Sequence, residues 1–117
     1  MTKLTLLHNA RCAKSRAGVA YLNDAGASFE TIEYLKSPLA KKTLLEVIEK
    51  MGGDPLKAGM IRTNEADFKA NFKGKELTNE EWAQAMLDFP KIMERPILIS
   101  TDKAVIGRPA EAFDQLI

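Results

Sequence analysis

Lys3-Leu4-Thr5-Leu6-Leu7-His8-Asn9-Ala10-Arg11-Cys12-Ala13-Lys14-Ser15-Arg16 joins an apolar run, a polar loop and the start of a helical pattern. Lys3 to His8 reads as a short, mostly buried strand. The spacing from Lys14 to Ala25 predicts a helix, ended by Gly26 in the usual C-terminal glycine position. Ser28 to Leu35 alternates, with Phe29, Ile32 and Tyr34 among Thr31 and Glu33, and predicts a second strand. Strand, helix and strand in that order favour a right-handed parallel unit.

Working outward, Ser37-Pro38 reads as a helix start, cap followed by proline. Leu44, Val47, Ile48 and Met51 then fall at helical spacing up to Gly52-Gly53. Asp54-Pro55 predicts a short helix to about Met60, and Glu65 to Phe72 another. Thr78-x-x-Glu81 is a capping box opening a helix with Trp82, Ala85, Met86 and Phe89 on its apolar side. Pro90 closes it. Ile97-Leu98-Ile99-Ser100 and Ala104-Val105-Ile106, joined through Thr101-Asp102, predict an antiparallel hairpin. Arg108-Pro109 begins a final helix with Ala112, Phe113 and Leu116 inward. The fold class is therefore α/β: a thioredoxin-like βαβ…ββα core with a helical insertion between the two halves, at about 38–90 of a single domain spanning 1–117. Another small α/β sandwich built from the same elements is the alternative.

Composition narrows the function. One domain is expected for 117 residues, and a net charge of +1 argues against a broad basic surface for nucleic acid or anionic membrane. A single cysteine permits no internal disulfide, and no apolar stretch reaches transmembrane length. A cytoplasmic location is the expectation. One Cys and one His cannot complete a structural zinc site. The 12 Lys are scattered, whereas the 5 Arg are not. Arg11 and Arg16 flank Cys12, Arg62 follows Met60-Ile61, and Arg95 and Arg108 each precede a proline. A planar guanidinium suits paired hydrogen bonds to an oxyanion, and surface ion pairing is the plainer reading.

Cys12 is the candidate nucleophile. A lone cysteine is most often a small buried hydrophobe, but Arg11, Lys14 and Arg16 beside it argue against a core position. Positive charge and a helix N-terminus both favour the reactive thiolate. In the expected fold the loop after the first strand lies where α/β active sites commonly sit.

With the thiol loop and the arginines placed, the chain resembles the glutaredoxin-coupled arsenate reductase family over nearly its whole length. The matching segments are His8-Asn9-x-x-Cys12-x-x-Ser15-Arg16, the Leu-rich first strand, Arg62-x-Asn64-Glu65, Glu94-Arg95-Pro96-Ile97 and Ile106-Gly107-Arg108-Pro109. The resemblance implies a thioredoxin-like core with a helical insertion, and reduction of arsenate to arsenite with glutathione and glutaredoxin. It implies Cys12 as the catalytic thiol, with His8 and Ser15 as neighbours that keep it ionised. Arg62, Arg95 and Arg108 match the arginines that bind the oxyanion, and Arg16 matches a position beside the loop grouped with them. Pro96 matches the cis-proline facing the thiol. Ala10 departs from the pattern, standing where many relatives carry proline, which leaves the loop less rigid. Ile117 follows soon after the last helix begins, so no contact from a longer tail is expected.

The expected chemistry is attack of the Cys12 thiolate on arsenate, giving a covalent thioarsenate. With no second cysteine in the chain, the resolving thiol comes from outside. No bound cofactor, metal, nucleic-acid or membrane partner is expected, and the protein is expected to be a monomer. Cys12-x-x-x-Arg16 is shorter than the Cys-x5-Arg loop of thiol phosphatases. Two other readings stand beside this one: a glutathione-dependent thiol oxidoreductase of another substrate, and an RNA-polymerase-binding regulator on the same scaffold, which typically carries a second cysteine near the first helix.

Overall fold

Leu6 and Leu7 are wholly withdrawn from solvent because the strand that carries them runs through the middle of a sheet. The computed structural model describes residues 3–117. Two compact units divide the chain: one takes the residues up to Pro38 together with Arg95–Ile117, the other takes Leu39–Glu94. The insertion expected from the sequence spans about 38–90.

In the first unit β1 (Thr5–His8) leads into α1 (Ala13–Asp24) and β2 (Glu30–Glu33), and the chain later returns as β3 (Ile97–Ile99) and β4 (Ala104–Ile106). The sheet order is β2-β1-β3-β4. β1 runs parallel to β2, while β3 is antiparallel to both β1 and β4. This is the thioredoxin-like βαβ…ββα arrangement. Leu6 sits opposite Leu98 in the β1–β3 ladder. With Leu4, Leu22 and Phe113 these two make an apolar core, against which Val19, Phe29 and Val105 pack. α1 ends in a Schellman motif: Ala27 N–H reaches Leu22 O at 3.0 Å and Gly26 N–H reaches Asn23 O at 3.0 Å. Gly26 has the positive φ of 72° that the motif needs.

In the second unit α2 (Lys41–Lys50) packs on α4 (Asn79–Asp88), with α3 (Ala66–Asn71) between them in sequence. Leu44, Val47 and Ile48 of α2 and Trp82, Ala83, Ala85 and Met86 of α4 are buried. The capping box of α4 is complete: Thr78 Oγ1 accepts from Glu81 N–H at 3.2 Å, and Thr78 N–H donates to Glu81 Oε1 at 2.9 Å.

Three elements differ from their sequence reading. Ser37-Pro38 does not cap a helix: Ser37 still belongs to the turn leaving β2, where its N–H is bonded to Glu33 O at 2.9 Å. α2 begins only at Lys41, with Ala40 as its N-cap. Asp54 to Met60 makes turns instead of a helix. There Asp54 Oδ1 accepts from the Leu56 and Lys57 amides, and Gly59 bends the chain with φ 76°. The last helix is a 3-10 segment, Ala110–Gln115, whose tighter turns suit so short a piece.

Candidate functional site

β1 delivers the chain to a tight loop at the carboxyl end of this central strand, and the loop delivers Cys12 to the start of α1. Cys12 N–H donates to Asn9 O at 3.0 Å, closing a β-turn over Asn9–Cys12. Arg11 N–H donates to Asn9 Oδ1 at 3.0 Å, so the Asn9 side chain braces the same turn. Cys12 is the N-cap residue of α1, with extended backbone angles of φ −92° and ψ 123°. Cys12 is partly exposed as a residue.

Two arginines approach that sulfur. Arg108 donates from Nη2 to Cys12 Sγ at 3.6 Å, while its Nε donates to the Arg95 carbonyl at 2.8 Å. The second bond aims the first. For the thiol, burial is the largest single influence and opposes ionisation. It is outweighed jointly by hydrogen bonding from Arg95, by the backbone amides of Ser15 and Lys14, and by the Arg95 charge. The net effect holds Cys12 below its ordinary value.

Both arginines stand at cis X-Pro bonds, Arg95–Pro96 and Arg108–Pro109. Gly107 N–H donates to Pro96 O at 2.9 Å, linking the two segments. Pro96 also lies against α1: a Cβ at Gly18 would stand 2.8 Å from Pro96 Cγ and 3.2 Å from Phe113 Cε2. Gly107 presses on the Phe113 ring more closely still, a Cβ there falling nearest Cζ and 2.8 Å from Cε1. Gly18 thus lets Pro96 and Phe113 close on α1, and Gly107 leaves room for the Phe113 ring.

His8 and Ser15 act on the loop backbone. Ser15 is fully buried, and its Oγ accepts from Asn9 N–H at 3.0 Å and lies 2.8 Å from His8 Nδ1. Burial chiefly lowers the His8 pKa, with a further lowering from the Arg16 charge, while Glu33 opposes both. The imidazole is therefore neutral at pH 7. Arg16 is exposed and donates from Nη1 to Ala10 O at 2.9 Å. Arg62 belongs to the Leu39–Glu94 unit. There its Nη1 meets Glu65 Oε1 at 2.8 Å and its Nε meets Glu94 Oε1 at 3.7 Å.

Cys12, His8, Ser15, Arg16, Arg95, Pro96 and Arg108 thus share one unit, and Arg62 lies in the other. Among the described residues no group of three His, Cys, Asp or Glu is placed to hold a metal ion, and no helix is long and apolar enough to cross a membrane. The sequence motifs contain Asn9 and Gly107 without showing their contacts, and Gly18 stands in none of them. Asn before a turn and a glycine inside a helical pattern were the available signals.

The chain is similar in sequence and fold to several known proteins. The sequence model of the ArsC family matches residues 7–116. An arsenate reductase of Neisseria meningitidis is 31% identical over 118 residues, covering all of both chains. An uncharacterized Escherichia coli protein, YfgD, is 35% identical over all of this chain and 99% of its own. The solved arsenate reductase of Vibrio cholerae superposes with a TM-score of 0.88 at 28% identity, over 99% of this chain and 98% of its own.

Proposed function

From the premise that the chain belongs to the ArsC family, we propose that it is an arsenate reductase with Cys12 as nucleophile and with glutathione and glutaredoxin as external reductants. The reading also makes it a cytoplasmic monomer, one domain over 1–117 with its helical insertion at about 38–90. Arsenate is held by Arg95 and Arg108, with the first amides of α1 completing the anion site. Cys12 thiolate attacks arsenic, forming the S–As bond as hydroxide or water leaves. Glutathione thiolate then attacks the Cys12 sulfur. An S–S bond forms, the S–As bond breaks, and its electron pair stays on arsenic. Arsenic falls from the +5 to the +3 state and departs as arsenite, leaving Cys12 in a mixed disulfide with glutathione. Glutaredoxin removes that glutathione and restores the thiol.

One observation supports this most: a partly exposed cysteine at a helix N-terminus, with Arg108 Nη2 3.6 Å from its sulfur and Arg95 acting on it. The deciding experiment is turnover of arsenate with glutathione, glutaredoxin and glutathione reductase, comparing the wild type with Cys12→Ser. Turnover lost in the folded variant is the expected result. Equal rates for the two proteins would end the assignment. Reduction of a glutathione mixed disulfide without arsenate turnover would transfer the protein to thiol exchange on another substrate.

A further inference from the structure

We propose that Arg16 is a positioning residue that holds the Cys12 turn in shape, supplying the rigidity a proline at position 10 would give, and is not a ligand of the oxyanion. The proposal builds on the reductase reading, but its test reads thiol chemistry that needs no arsenate turnover.

Ala10 occupies the second position of the Asn9–Cys12 turn, where a proline ring would preset φ. Alanine leaves that angle free. The neighbouring peptides are tied down individually. Asn9 N–H is held by Ser15 Oγ, Arg11 N–H by Asn9 Oδ1, and Cys12 N–H by Asn9 O. The bond that reaches Ala10 itself comes from Arg16, whose Nη1 donates to the Ala10 carbonyl at 2.9 Å. Arg16 stands one helical turn beyond Cys12, its N–H bonded to Cys12 O at 3.0 Å. Its side chain therefore folds back from α1 across the loop. This bond is charge-assisted, stronger than a neutral one of the same length.

The contrast with Arg108 separates the roles. Arg108 spends Nε on the Arg95 carbonyl and offers Nη2 to sulfur. Arg16 offers its guanidinium to the loop backbone. Without that grip Ala10 and Arg11 regain freedom, and Cys12 drifts from the orientation in which the Lys14 and Ser15 amides favour its thiolate.

The test measures Cys12 alkylation by iodoacetamide against pH. R16A is expected to raise the midpoint and slow alkylation at pH 7 roughly three- to tenfold, the range a typical net intramolecular hydrogen bond spans. R16A/A10P is expected to return to within about twofold of wild type, because the ring restores geometry but no charge. A double variant left at the R16A value while R16K recovers would assign a field effect and overturn the proposal. Ionic strength decides independently, including the case where A10P alone disturbs the loop. At 1 M salt, where the screening length is about 3 Å, a geometric difference between R16A and wild type persists and a field effect collapses. An arsenate KM raised as much by R16A as by R108A, with an unmoved alkylation midpoint, would make Arg16 a substrate ligand.

Discussion

Ionisation of Cys12 balances burial, which resists it, against Arg95, two helix amides and the nearby Arg108, which favour it. Alkylation of Cys12 should follow a titration midpoint below the usual thiol range of about 8.5, read from the pH dependence of iodoacetamide labelling. Replacing Arg108 by Ala removes the 3.6 Å donor and should raise that midpoint. The same variant should weaken arsenate binding by about 1.5–3 kcal/mol, the worth of a hydrogen bond to a charged partner, measured by calorimetry. Linkage gives stability a sign at His8. Its folded pKa lies below 6.5, so as pH falls past that value the unfolded chain takes up the proton first. Wild type should therefore lose stability between pH 6.5 and the lower folded pKa, and His8→Gln should lose less over that window in urea titrations. The charged residues around Cys12 marked this site in the sequence. Arg108 bonding to a backbone carbonyl 13 residues away could not be read there, because only the folded chain brings them together.

Among the elements, α4 and α1 show what local sequence can and cannot specify. Thr78 and Glu81 complete a capping box between residues three apart, a contact short enough to be written in the sequence itself. Thr78→Ala should lower stability by about 1 kcal/mol, measured as a urea midpoint shift at unchanged slope. Gly18 is different. It lies mid-helix with no local reason to be glycine, and only Pro96 and Phe113, far along the chain, forbid a side chain there. Gly18→Ala should cost about 1–3 kcal/mol from overpacking and should also raise the Cys12 alkylation midpoint, since Pro96 adjoins Arg95. A Cβ at Gly52 would meet no atom within 4 Å, but φ there is 108°, so substitution acts through backbone strain alone. Ser37-Pro38 carries the opposite lesson. Its composition fits a helix start, but Ser37 still belongs to the turn out of β2.

At the scale of the whole molecule, binding should report itself as stability. A ligand that binds only the folded state adds about 2.7 kcal/mol at a hundredfold excess over its Kd. Arsenate should therefore raise the thermal midpoint of the wild type, and the rise should shrink in R95A and R108A. An unchanged midpoint in saturating arsenate would remove the anion site. Phe113 closes the core of the first unit, where Leu6, Leu22 and Leu98 meet. Phe113→Ala should cost about 3–5 kcal/mol in denaturant titration.

Alternation, helical spacing and cap chemistry determined the strand–helix–strand start, the capped α4 and the closing hairpin, because each depends on residues a few positions apart. Charge beside a lone thiol likewise marked Cys12 before any folding was considered. Which arginine touches the sulfur, which one grips the loop and which pairs with Glu65 and Glu94 was decided only in three dimensions. Guanidinium side chains are long and alike in sequence, and their partners are chosen by which backbone and side-chain atoms the tertiary structure brings within reach.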